Sequence, residues 1–137
     1  MAAGILAPAS FNSGGKQYAV AQFGDLTFVG NPNLIAGAPF RPAKPGDSIN
    51  IYGIGFGEVT PPLAPGIIVA GQNSIDGLTI GFGGTPATFT YGGLSPGSIG
   101  LFQFNIVVPD VPDGNYQIHF NVRGTDISQI VYLTVKR

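Results

Sequence analysis

Tyr116-Gln117-Ile118-His119-Phe120-Asn121-Val122-Arg123 sets an apolar residue at every second position. In an extended chain successive side chains point to opposite faces. Tyr116, Ile118, Phe120 and Val122 therefore share one face, and Gln117, His119, Asn121 and Arg123 the other. This period of two predicts a strand with one face on a core and one in water. Its neighbours read alike: Phe102, Phe104, Ile106 and Val108 alternate with Gln103 and Asn105, and Val131, Leu133 and Val135 alternate with Tyr132, Thr134 and Lys136. Earlier candidates lie at 17–22, 26–29, 48–53, 78–82 and 86–91, rich in β-branched and aromatic residues and bounded by Gly, Pro, Asn or Asp. Turn signals fall between them, at Asp76-Gly77, Gly83-Gly84, Gly92-Gly93 and Pro112-Asp113-Gly114. No stretch carries a helical period. The expectation is an all-β fold, an antiparallel β-sandwich of about seven to nine strands.

At 137 residues the chain has the length of a single domain, expected over 1–137 with 1–10 as a tail or linker remnant. Its 22 glycines and 12 prolines approach the composition of disordered chains, but 42 residues of Val, Ile, Leu and Phe supply enough apolar surface for a core. Two connections are long, at 30–47 and 57–77, both proline-bearing; they are expected as crossovers between sheets, with 67–70 as a short edge strand. Only 9% of residues are charged and the net charge is −1, which leaves no electrostatic footprint for nucleic acid or an anionic membrane. No run approaches the ~20 apolar residues of a membrane span. The absence of cysteine excludes disulfides, thiolate metal sites and cysteine nucleophiles within the chain. Met1 to Ala7 lack the basic region and apolar length of a signal peptide, so the sequence reads as a cytoplasmic protein or as a domain cut from a longer one.

The segment Ile49-Asn50-Ile51-Tyr52-Gly53-Ile54-Gly55-Phe56-Gly57, followed by Ile80-Gly81-Phe82-Gly83-Gly84-Thr85-Pro86-Ala87, resembles the opening of IPT/TIG immunoglobulin-like domains. Glycine there lets the chain bend as the strand leaves its sheet, while Phe56 plugs the end of the core. From about Phe11 onward the chain also resembles an uncharacterised domain family at the C-terminal ends of large secreted proteins, especially of acidobacteria. The matching stretches are Pro45-Gly46-Asp47, Tyr91-Gly92-Gly93-Leu94-Ser95-Pro96-Gly97, Gly100-Leu101-Phe102-Gln103-Phe104-Asn105-Ile106-Val107-Val108-Pro109 and Val111-Pro112-Asp113-Gly114. Ile54 stands where a small hydroxyl residue is more usual, and Gly81 interrupts a strand that is normally continuous. The resemblance implies an immunoglobulin-like sandwich in an extracellular or cell-surface parent protein, with no assigned activity and no cofactor.

Catalytic chemistry finds little purchase. His119 is the sole histidine, so any histidine base or triad must use it, yet the alternation puts it on the solvent face. Asp110, Asp113 and Asn115 offer oxygen ligands in one turn, but without calcium-loop spacing they read as turn caps; Asp126 is expected at the other end of a strand. Glu58, the sole glutamate, could pair with Asp76 only if the 57–77 connection folds back. The clusters 81–84 and 92–93 open no helix and are not phosphate cradles. Tyr18, Tyr91 and Tyr116 read as core, whereas Tyr52 and Tyr132 fall out of phase with their strands' apolar sets. Ile130 and Tyr132 are the candidate ligand-binding residues, as an outward apolar patch, unless the last strand is covered on both sides. The expected function is a non-enzymatic structural or interaction module, with a carbohydrate- or cell-surface-binding module as the alternative. Its expected partners are other domains of a parent chain, protein or polysaccharide.

Overall fold

The computed structural model describes residues 4–13, 15–25, 27–30, 39–56, 59–60, 67, 73–98, 100–127 and 129–137. Among them run β1 (Gly4–Ile5), a 3-10 turn (Ala9–Phe11), β2 (Asn12–Ser13), β3 (Lys16–Gln17), β4 (Ala21–Gln22), β5 (Phe28–Val29), β6 (Phe40–Arg41) and β7 (Ser48–Ile54). Then follow β8 (Asn73–Ser74), β9 (Leu78–Phe82), β10 (Thr85–Leu94), β11 (Phe102–Val107), β12 (Gly114–Val122), β13 (Thr125–Asp126) and β14 (Tyr132–Val135). The chain is all-β, as the alternation implies. Twelve strands form one sheet along the path β13-β12-β9-β10-β11-β7-β4-β5-β6, with β1 on β7, β14 on β12 and β8 on β10; β2 and β3 form a separate hairpin.

Two expectations are corrected here. The strands number fourteen among the described residues rather than seven to nine, because the Gly- and Pro-rich N-terminal half pairs in two-residue pieces. The sheet is also mixed rather than antiparallel, since β5 and β6 run parallel. Parallel neighbours cannot be joined by a tight hairpin, which accounts for the length of the connection between them. The expected edge strand at 67–70 lies outside the described residues except for Ile67.

Aromatic side chains fill the centre. Phe104 of β11 meets Phe120 of β12 with ring centroids 4.9 Å apart, although the two strands are not sheet neighbours, so the contact crosses between two facing halves of the sheet. Phe56 closes the end of this core, fully buried, 4.9 Å from Phe104 and 6.1 Å from Phe120. Two glycines seat it. Gly55 takes a φ of 75°, the left-handed region, where the chain leaves β7. Gly53 lets β1 approach: a Cβ there would stand 2.7 Å from the Gly4 carbonyl oxygen and 2.7 Å from the Phe56 ring.

Gly92-Gly93, expected as a turn, lies inside β10. A Cβ on Gly93 would stand 2.1 Å from the Asn73 carbonyl oxygen and one on Gly92 2.4 Å from the Leu78 side chain, so both mark close approach within the sheet. The same strand corrects a second reading. A bulge between Phe89 and Tyr91 shifts the register, leaving Phe89 opposite Ile106 on the core side and turning Tyr91 outward opposite Asn105. Tyr91 is therefore not a core residue; its hydroxyl donates to the Leu94 carbonyl at 2.6 Å and accepts from the Asn73 N–H at 3.2 Å.

Within the expected tail, Gly4 and Ile5 are part of the fold. Ile5 is buried in the main core, and β1 pairs antiparallel with Gly53 and Ile54. A second, smaller core lies on the outer side of the sheet, where Phe11, Tyr18 and Phe40 are buried with Val20, Phe28 and Tyr132 against them. Beside it, Asp25 Oδ1 accepts from the Thr27 N–H at 3.0 Å, which with the Thr27 side chain and nearby Arg41 holds the carboxyl below its usual range. Arg41 also lies over the Phe23 ring, 3.7 Å from its centroid.

Candidate functional site

The two residues singled out as a ligand-binding patch separate. Tyr132 is half-buried, its ring 6.4 Å from that of Tyr18, with the Lys16 ammonium 5.6 Å from its centroid. It belongs to the second core, and Thr134 two residues on is buried as well. The last strand is thus covered on both sides. Ile130 alone stays exposed, at 57% of its full surface.

His119 lies where the alternation puts it, exposed on β12 opposite Gly81, and its imidazole has no hydrogen-bond partner among the described residues. It lines an open groove of about 360 Å³ with Thr79, Gly81, Pro86, Asn121 and Asp126. The acid in that groove is engaged elsewhere: Asp126 accepts from Asn121 Nδ2 at 2.8 Å, and Asn121 Oδ1 accepts from the Gly124 N–H at 3.0 Å. Asn121 faces Asp126 across β12 and β13, so their contact is a rung of the sheet. Among the described residues no carboxylate is hydrogen-bonded to His119, the feature on which a triad depends.

The oxygen ligands of the 110–115 turn are also committed. Asp110 pairs with the Arg137 guanidinium, and Asp113 Oδ1 accepts from the Arg137 N–H at 2.8 Å. Asn115 Oδ1 accepts from Thr134 Oγ1 at 2.7 Å. Together they pin the C-terminal strand. Of the other acid pair, Glu58 lies outside the described residues, and Asp76 Oδ2 accepts from Thr60 Oγ1 at 2.6 Å.

What the sheet does assemble is a neutral outer face on β4, β7, β11 and β10. Ile49, Ile51, Phe104 and Ile106 point into the core and are fully buried, so Asn50, Tyr52, Gln103 and Asn105 point out and are half-buried. Register then aligns them in rungs. Gln22, Asn50, Asn105 and Tyr91 lie opposite one another along one, and Tyr52 faces Gln103 along the next. Leu6 extends the second rung, since its N–H donates to the Tyr52 carbonyl at 2.9 Å. Beyond it lies Ile54, 54% exposed, which with Leu6, Ala7, Pro8 and Val20 lines an apolar trough of about 470 Å³. No position on these rungs or in the trough is charged.

Hydrogen bonding fixes part of this face. Ser95 Oγ donates to Gln103 Oε1 at 3.0 Å, and Gln103 Nε2 donates to Asn105 Oδ1 at 2.8 Å. The chain of bonds runs in one direction and leaves Asn105 Nδ2 as its outgoing donor. The Asn50 amide and the Tyr52 hydroxyl have no hydrogen-bond partner among the described residues. Sequence reasoning singled out Tyr52 by phase but passed over Asn50, Gln103 and Asn105; their signal was the same alternation, read on the polar side.

Comparison with protein-family models, curated proteins and solved structures finds no match to this chain. None of the described helical structure is long and apolar enough to cross a membrane.

Proposed function

We propose that the chain is a non-enzymatic, immunoglobulin-like module of an exported protein, working by contact at the extracellular or cell-surface side. The observation that carries this reading is the neutral outer face, where polar side chains, among them an Asn50 amide and a Tyr52 hydroxyl without hydrogen-bond partners among the described residues, line up beside an exposed apolar trough. Exposed apolar patches bordered by polar groups commonly mark contact surfaces, and the trough beside the amides is one. The polar groups that could do chemistry are spent on structure: Asp110 and Asp113 on Arg137, and Asp126 on Asn121. The resemblance of 45–47, 91–97, 100–109 and 111–114 to the C-terminal domains of large secreted proteins supports the exported setting.

Turnover assays on ester, glycoside and peptide substrates, run on the wild-type chain and on His119→Ala, test the non-enzymatic part. No turnover is expected. Turnover that falls with His119→Ala would overturn it. A thermal-shift screen tests the contact part: a ligand at about a hundred times its dissociation constant adds roughly 2.7 kcal/mol, enough to raise the midpoint by several degrees. A shift is expected with a polymer ligand rather than with divalent ions or nucleotides.

A further inference from the structure

Resting on the reading of the chain as a contact module, we propose that the outer face of β4, β7, β11 and β10 binds a neutral polysaccharide. Tyr52 is its stacking ring, and Asn50, Gln103 and Asn105 are its hydrogen-bonding groups. Charge selects the occupant. A nucleic acid or an anionic glycan would call for Lys or Arg, and a cationic polymer for Asp or Glu; none stands on the rungs, and the two nearest acids in sequence bind their own turns, Asp47 accepting from the Lys44 N–H at 2.9 Å and Asp25 from the Thr27 N–H at 3.0 Å.

Chemistry then narrows it. A sugar hydroxyl both donates and accepts, and a side-chain amide is the group that can answer both, whereas a carboxylate only accepts and an ammonium only donates. Three amides lie on adjacent strands, whose spacing is about 4.8 Å. Ser95 and Gln103 hold Asn105 in place, so less side-chain freedom is lost on binding. A pyranose also has an apolar C–H face, and the same surface offers the Tyr52 ring with Leu6 and Ile54 beside it. A protein partner would instead favour an apolar centre with a polar rim. Here the amides occupy the middle rungs and the apolar trough lies to one side.

The test uses the full chain in pull-downs and affinity electrophoresis with cellulose, chitin, xylan and β-1,3-glucan, with heparin and polygalacturonate as anionic probes. The expected result is retention on a neutral polysaccharide, unchanged in 0.5 M salt. It should weaken roughly tenfold or more in Tyr52→Ala and in Asn50→Asp, and persist in His119→Ala. Asn50→Asp keeps the side chain's shape, so a melting midpoint equal to wild type separates lost binding from lost folding. Retention by none of the neutral polymers overturns the proposal, as does retention that both variants preserve or preference for the anionic probes; the contact-module reading survives each. Hydrolysis of the retained polymer, abolished in His119→Ala, would overturn the non-enzymatic reading, while loss of retention in Tyr52→Ala would still uphold this face.

Discussion

Gly53 has no side chain because two other groups hold the space one would take. The Gly4 carbonyl and the Phe56 ring both stand 2.7 Å from where its Cβ would be, and neither can retreat: one is paired backbone and the other is wedged among Phe102, Phe104 and Phe120. Gly53→Ala is therefore expected to destabilise by about 1–3 kcal/mol, the usual cost of overpacking, read as a lower urea midpoint. A second comparison at this scale separates Tyr132 from Ile130. Tyr132→Ala strips a ring from the second core and should cost about 1–3 kcal/mol, whereas Ile130→Ser, at an exposed position, should stay within about 0.5 kcal/mol of wild type. Equal melting midpoints for the two variants would contradict the placement of Tyr132 beneath Tyr18.

Elements with a long alternating run were legible, and elements made by pairing at a distance were not. Residues 78–82 declare β9 by phase alone, and 116–122 most of β12, because each buries one face along its whole length. β1 and β6 are two residues each, too short to show a period, and exist because neighbouring strands accept them, whereas the expected strands at 17–22 and 26–29 contain β4 and β5 but overrun both. The neutral face shows the same division. Alternation turns Asn50, Tyr52, Gln103 and Asn105 outward, but only the register of β7 against β11 brings them onto one surface. Gln129 is the extreme case. Its Oε1 accepts from the Ile5 N–H at 2.6 Å and its Nε2 donates to the Ile5 carbonyl at 2.9 Å, so one side chain stands in for a neighbouring strand along the open side of β1. An unpaired edge invites another chain, and here the amide blocks it. Gln129→Ala should cost about 1–3 kcal/mol through the two part-buried groups left without partners. It should also speed hydrogen exchange at the Ile5 amide well before global unfolding, the signature of local opening.

At the scale of the whole molecule the two ends of the chain hold each other. β14 pairs antiparallel with β12 through Tyr116 and Leu133, and isolated parallel bridges tie it to the N-terminal half, at Tyr18 with Tyr132 and at Ala43 with Val135. Ala43 follows β6, one end of the sheet path, and Val135 lies on β14 beside β12, next to the other end, so the Ala43–Val135 bridge brings the two sides of the sheet together. β1 belongs to the same arrangement, since Ile5 enters the main core and Gln129 binds it across 124 positions of sequence. Removing residues 1–10 would therefore open the side of β7 at Gly53 and Ile54, empty the Ile5 site and leave the Gln129 amide unpaired. Burial of one Ile and the loss of a pairing strand together are worth several kcal/mol, so the shortened chain is expected to melt roughly 10 °C or more below the full one. A midpoint within a degree or two of wild type would mean that these residues are a tail after all and that β1 adds nothing to the closure of the sheet.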